Sequence, residues 1–273
     1  MHVGATLRLL RVASGMGLRD LARRLGVSGA YLSRVEKGVD PAPTFSRLEA
    51  MARELALPPA LLIDLANQVA PVVTEYVQRV PEAAALFLQI AHRELEPAQL
   101  AKIRAFVETE FPGPPNDDEG AHAPRLAQLL TPERVILGLS CGGIEDVLDV
   151  AVERLRFAIP AEARPALAQT LGRRDHEAGG FIGGGVAVPN ALVEGASAAA
   201  CLITLSPPLA CATPDGLPVR LVLLLVAPPH DKAHLLTLAH VARLAAAGFA
   251  DRIANITRPE QALQLIATLE AWR

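Results

Sequence analysis

Two apolar runs, AAACLITLS near Ala198 to Ser206 and VRLVLLLVA from Val219 to Ala227, constrain this 273-residue chain more than any other feature. They are rich in Leu, Val and Ala, and the turn Asp215-Gly216 leads into the second, so they read as buried strands. Helical patterns flank them, at about Ile144 to Phe157, Ala161 to Arg174, from Asp231 and from Pro259. Helices alternating with buried strands give an α/β layer domain over residues 126–273. Half of all residues are apolar and aromatics are scarce, so the cores are built from Leu, Ala, Val and Ile.

Between the helices and the runs, Arg174 to Glu194 reads RDHEAGGFIGGGVAVPNALVE. Five glycines, Gly179, Gly180, Gly183, Gly184 and Gly185, precede the β-type run Val186-Ala187-Val188, which ends at Pro189. Glycine admits φ > 0 and close backbone approach, so a loop forming one wall of a site is expected here. A dinucleotide fingerprint is excluded because the glycines lead into a strand rather than a helix N-terminus, and no lysine follows to make a P-loop.

This string resembles the active-site segment of the fructose/mannitol/nitrogen-type enzyme IIA domains of the bacterial phosphotransferase system: an R-E pair, a Gly/Ser/Thr-rich loop, then G-x-G-(V/I)-A-(V/I)-P-H. The counterparts are Arg174 with Asp175, then Gly183, Gly185, Val186, Ala187, Val188 and Pro189, with Asn190 where the family carries its phosphorylated histidine. The resemblance continues through Asp215, Gly216, Pro218 and Val219 to the helix KAHLLTLAHVARL, where His234 matches the family's second active-site histidine. Gly180 falls where the family has Thr. An amide nitrogen is delocalised and not nucleophilic, so Asn190 is not a phosphoryl acceptor. Arg174, Gly183, Asn190 and His234 are expected to form a pocket for a small anionic metabolite, or a docking surface for phosphotransferase-system proteins. Two alternatives stay open: a phosphocarrier using His234 or His176, and a non-catalytic interaction module.

The first 66 residues have a different character. From Leu18, LRDLARRLGVSGAYLSRVEKG places Leu21, Ala22, Leu25, Val27, Leu32 and Val35 at helical spacing on either side of Gly26. Two short helices should meet at Gly26, with Ala22 allowing close crossing and Ser28 capping the second. With Leu7 to Arg11 before it and PTFSRLEAMARELALPPALLIDLA after it, this head resembles the five-helix Xre/Cro family of DNA-binding domains. The resemblance implies that the second helix of the motif enters the major groove of double-stranded DNA. Ser28, Gly29, Ala30, Tyr31, Ser33 and Arg34 would face bases, and Arg19, Lys37 and the Thr44 end of the next helix would meet phosphates. Leu18 stands where the family often has Gln, and Gly29 or Ala30 where it has a polar reader. Readout should therefore fall to Arg34 forking onto guanine and to Ala30 and Tyr31 against thymine methyls. Arg11 and Glu36 are expected to be a structural pair. The head carries nine Arg or Lys against six Asp or Glu, while the rest of the chain holds 17 against 23. A basic head on an acidic body suits phosphate contact by the head alone. A head that serves only protein interaction is the alternative.

Residues 67–111 form a helical connector, with first-turn prolines opening PEAAALFLQIAHREL and PAQLAKIRAFVETEF. Its stripes, Leu86, Phe87 and Ile90 on one helix and Leu100, Ile103, Phe106 and Val107 on the other, would be buried by antiparallel pairing, by a second copy in a homodimer, or as an extension of the head's core. Residues 112–125, PGPPNDDEGAHAPR, have linker composition and mark the domain boundary.

Cys141, Cys201 and Cys211 have no CxxC spacing, and the chain lacks a membrane-length apolar run or a signal-peptide core at its start; a cytoplasmic protein with no membrane contact is expected. His230 and His234 are four apart, but Pro228 and Pro229 put His230 at the helix start and no third ligand is evident, so neither metal nor cofactor is expected. His240, among apolar neighbours, reads as a packing histidine. The whole is expected to be a transcriptional regulator and not an enzyme: an all-α helix-turn-helix head and helical connector, then an enzyme IIA-like sensor whose ligand shifts the arrangement of the two bodies and the spacing of the heads.

Overall fold

The computed structural model describes residues 2–66, 71–111, 125–167, 171, 180–229 and 231–270. The head is five helices, α1 (Val3–Ala13), α2 (Leu18–Arg24), α3 (Gly29–Glu36), α4 (Phe45–Glu54) and α5 (Pro59–Leu65). Gly26 makes the turn between α2 and α3 at φ +65°, and Ser28 Oγ accepts the Tyr31 N–H at 3.1 Å to start α3. Leu7, Leu10, Leu21, Leu32, Leu48 and Leu62 are fully buried at the centre. At roughly 1.5–3 kcal/mol for each buried aliphatic side chain, this core holds the head together. Arg11 and Glu36 are buried beside it as a two-armed ion pair: Nε donates to Oε1 at 2.6 Å, Nη2 donates to Oε2 at 2.8 Å, and Nη1 donates to the Met16 carbonyl at 2.9 Å. That network ties α1 to the end of α3, the structural role expected of it.

Three further helices follow, α6 (Pro71–Arg79), α7 (Pro81–His92) and α8 (Pro97–Glu110). Proline occupies the first turn of α7 and α8, and the Glu96 N–H donates to Gln99 Oε1 at 2.8 Å. Antiparallel burial of the two stripes within one chain does not occur. Leu86, Phe87, Ile103, Phe106 and Val107 are all exposed, and no residue of α7 is buried. Nor is the segment an extension of the head's core, to which none of these residues belongs.

The body begins with α9 (Leu126–Leu129), β1 (Val135–Leu139) and α10 (Ile144–Arg154). The stretch expected to be a glycine loop is instead a β-hairpin, β2 (Phe181–Gly183) and β3 (Val186–Ala187), turning at Gly184-Gly185 with φ of +67° and +73°. These positive angles, with Gly183 at +82°, are why consecutive glycines are needed. Chain direction then continues after Val188-Pro189 as β4 (Asn190–Leu192), so that β3 and β4 are two segments of one interrupted strand lying parallel to β6. β5 (Ala199–Leu209) and β6 (Val219–Ala227) pair antiparallel at the centre, and β1 lies parallel to the outer side of β5. The sheet order is β1-β5-β6-β3-β2, with β4 on β6.

Alternation along β5 and β6 divides two cores. Ala199, Cys201, Ile203, Val222, Leu224 and Val226 face α10, while Ala200, Leu202, Leu221, Leu223 and Leu225 face the other layer. That layer holds α11 (Lys232–Ala246), α12 (Phe249–Ile253) and α13 (Pro259–Glu270). Its core does not stop at the body: Leu236, Leu238, Ala239, Val241 and Ala242 of α11 belong to one continuous cluster with Leu7, Leu10, Leu62 and Leu65 of the head. Helix α11 packs against α1 and α5, and the His2 N–H donates to the Ile182 carbonyl of β2 at 2.8 Å. Head and body are thus joined by an apolar interface as well as by the chain.

Candidate functional site

Asn190 stands where the strand restarts after Pro189, and His234 stands in the first turn of α11. Asp231 caps that helix, its Oδ1 accepting the Ala233 N–H at 2.9 Å, which fixes the direction in which α11 presents His234. The two residues meet with His234 Nε2 3.4 Å from Asn190 Oδ1. Asn190 Nδ2 donates to the Val188 carbonyl at 3.3 Å, so the amide oxygen is the group turned to the imidazole. The proton therefore sits on Nε2 and donates. His234 is 5% exposed, and burial pushes its pKa down from 6.5 to about 4, against a smaller upward pull from Asp231. At neutral pH the ring is uncharged, with its Nε2 occupied by Asn190. This is a neutral donor and acceptor pair at the mouth of a helix.

Gly183, the other described member of the expected pocket, lies apart from this pair. Gly183 is at the tip of the β2–β3 hairpin, opposite Val186, and from there to Asn190 the strand runs roughly 13 Å at about 3.3 Å per residue. Its neighbours are His2 and Asp215; Asp215 Oδ2 accepts the Gly184 N–H at 2.6 Å. Burial alone would raise the Asp215 carboxyl, but the N–H groups of Gly184 and Leu217 outweigh it and hold the pKa below its ordinary value. Arg174, His176 and His230 lie outside the described residues. Among the described residues, no three metal-ligating side chains converge. His240 Nε2 donates to Glu270 Oε1 at 3.1 Å, and Glu270 also accepts the Leu126 and Ala127 N–H groups at 2.5 and 3.1 Å. It is a packing residue with a satisfied ring, as its surroundings in the sequence suggest.

On the head, Arg19, Ser28, Ala30, Arg34, Lys37 and Thr44 are exposed, and Gly29, Tyr31 and Ser33 are half-buried. Leu18 packs toward Gly29, 3.6 Å from where a Cβ would stand, so the two departures from the family pattern lie against each other. Arg34 does not stand free: Nε donates to both Asp40 oxygens at 3.0 and 3.1 Å, and that hydrogen bond, then the charge, raises its pKa. Sequence reasoning missed a residue that lies against Tyr31. Arg47, in α4, donates to Tyr31 Oη at 2.8 Å and lies over the Tyr31 ring at 4.8 Å. No local pattern could have found it, because 16 positions separate the partners and only the crossing of α3 and α4 joins them. The pair presents an exposed guanidinium held in place by an aromatic ring.

Comparison with known families divides the chain as the fold does. A family model described as a helix-turn-helix domain matches residues 2–65. A second, described as the phosphoenolpyruvate-dependent sugar phosphotransferase system EIIA 2 family, matches residues 128–268, more than half of the chain. Similar solved structures include the nitrogen regulatory protein IIA-Ntr from Neisseria meningitidis, 21% identical, covering 52% of this chain and 98% of that one with a TM-score of 0.48. Another is the mannitol IIA of Escherichia coli, 19% identical, covering 50% of this chain and 98% of that one with a TM-score of 0.42. No curated protein matches the chain.

Proposed function

This chain belongs to the phosphoenolpyruvate-dependent sugar phosphotransferase system EIIA 2 family, and on that premise we propose that it is a DNA-binding transcriptional regulator whose IIA-like body is a sensor or docking domain and not a phosphocarrier. The reading rests on one arrangement: α11 carries His234 against Asn190 at its start and packs on α1 and α5 of the DNA-binding head along its length. A ligand that pulls His234 or Asn190 out of their mutual hydrogen bond moves the helix on which the head is seated. Such a ligand shifts the head only by its difference in affinity for the two arrangements. The protein acts as a homodimer on double-stranded DNA in the cytoplasm. The signal is a small anionic metabolite held with the help of Arg174, or a phosphotransferase-system protein docked over the Asn190 pair.

The pair also argues against phosphoryl transfer. Asn190 has no nucleophilic lone pair, and His234 is buried with its Nε2–H turned to Asn190. Incubation with the phosphorylated histidine carrier protein, read by intact mass, should leave the wild-type chain unchanged, with Asn190→His as the variant that regains an acceptor. Phosphorylation of the wild type, lost in His234→Ala or His176→Ala, would overturn the proposal.

A further inference from the structure

We propose that α7 and α8 form an isologous interface with a second copy of this chain, in which the two α8 helices run antiparallel about a two-fold axis at Phe106. Along this arm Leu86, Phe87, Leu88, Ile103, Phe106 and Val107 are between 37% and 60% exposed. On α8, Leu100, Ile103, Phe106 and Val107 recur at three- and four-residue spacing and are 37% to 60% exposed, an apolar stripe that no described residue of this chain buries.

The charge order along α8 selects the occupant. Lys102 lies one turn before Phe106 and Glu110 one turn after it, at i−4 and i+4. Reversing the helix about Phe106 sets Lys102 opposite Glu110, base against acid on either side of the centre, while Phe106 meets its own copy. Parallel pairing sets like charges together. A pattern that complements itself on reversal is what a two-fold interface requires, and it is not required for an unrelated protein or a lipid surface. The inference deepens the homodimer reading above, but its test needs no DNA.

Sedimentation of the full chain at micromolar concentration should give a dimer, and Phe106→Asp and Leu88→Asp should give monomers with unchanged helix content by circular dichroism. Lys102→Glu should weaken the dimer several-fold, and adding Glu110→Lys should restore it, a recovery that misfolding does not produce. In a background of Cys141→Ser and Cys211→Ser, Phe106→Cys should cross-link the dimer under mild oxidation and Leu100→Cys should not. A monomeric wild type, a dimer indifferent to Phe106→Asp, or equal cross-linking by Leu100→Cys would overturn the interface. A dimer with these properties that binds no DNA would sink the regulator reading and leave the interface standing; a monomer that binds DNA would do the reverse.

Discussion

Lowering the pH should strip stability from the Asn190 site in a defined window, because burial favours the neutral form of His234. The folded-state pKa of about 4 lies below the ordinary value of 6.5, so between these values the unfolded chain holds a proton that the folded chain refuses. The stabilising contribution is complete above pH 6.5, falls as pH drops through the window, and is exhausted below about pH 4. At about 1.4 kcal/mol per pKa unit, the full loss is about 3 kcal/mol. The assay is urea denaturation of wild type and His234→Gln at several pH values. The glutamine can still donate to Asn190 but has no proton to gain. Other acid-sensitive groups, Glu270 and Asp215 among them, cancel in the difference between the two proteins. Wild type should lose about 3 kcal/mol more than the variant between pH 7 and pH 4, with an imidazole signal titrating near 4 by NMR. A difference that stays constant with pH would refute the burial argument and, with it, the picture of a neutral locked pair.

The remaining predictions concern the head. Glu36→Gln leaves the buried Arg11 without its counter-charge and should cost about 3–5 kcal/mol in thermal or urea unfolding, while Arg11→Met with Glu36→Leu should recover most of that loss. Gly4→Ala places a methyl against the Val35 carbonyl and should destabilise by about 1–3 kcal/mol; a variant as stable as wild type would contradict the close crossing of α1 over the end of α3. Arg47→Ala, if Arg47 meets a phosphate, should weaken DNA binding uniformly across sequences and lower the salt slope by about 0.9; a sequence-dependent loss would make it a base reader instead. Asp40→Asn releases Arg34 and should tighten binding by several-fold in a filter or fluorescence assay; no change would mean that Arg34 faces no DNA.

What could be read from the chain alone follows from how local each signal is. The turn at Gly26, the cap at Ser28 and the strand Val219–Ala227 depend on neighbours within a few residues, and all three stand where the pattern put them. Asn190 and His234 are 44 positions apart, and only the family resemblance could place them together. The glycine stretch misled because consecutive positive φ angles serve a hairpin turn as readily as an open loop. The connector misled for a different reason: an apolar stripe states that something covers a helix, but not what. Arg47 on Tyr31 and Asp40 on Arg34 were illegible because charged surface residues carry no periodicity. The joining of head to body had one overlooked signal. In KAHLLTLAHVARLAA apolar residues occur on every side, and Leu236, Leu238, Val241 and Leu244 are all buried. A helix apolar all round needs cover on both sides, and the sheet supplies only one.

That double cover of α11 bears on how such a gene can evolve. Splitting the gene within residues 112–125 would release a head with bare leucines on α1 and α5 and a body with the outer side of α11 unclothed, each a substrate for chaperones and proteases. Duplication of the whole reading frame leaves both surfaces matched. The two halves should therefore be inherited, lost and copied together, and a change of outer residue on α11 should be answered in later generations by one on α1 or α5.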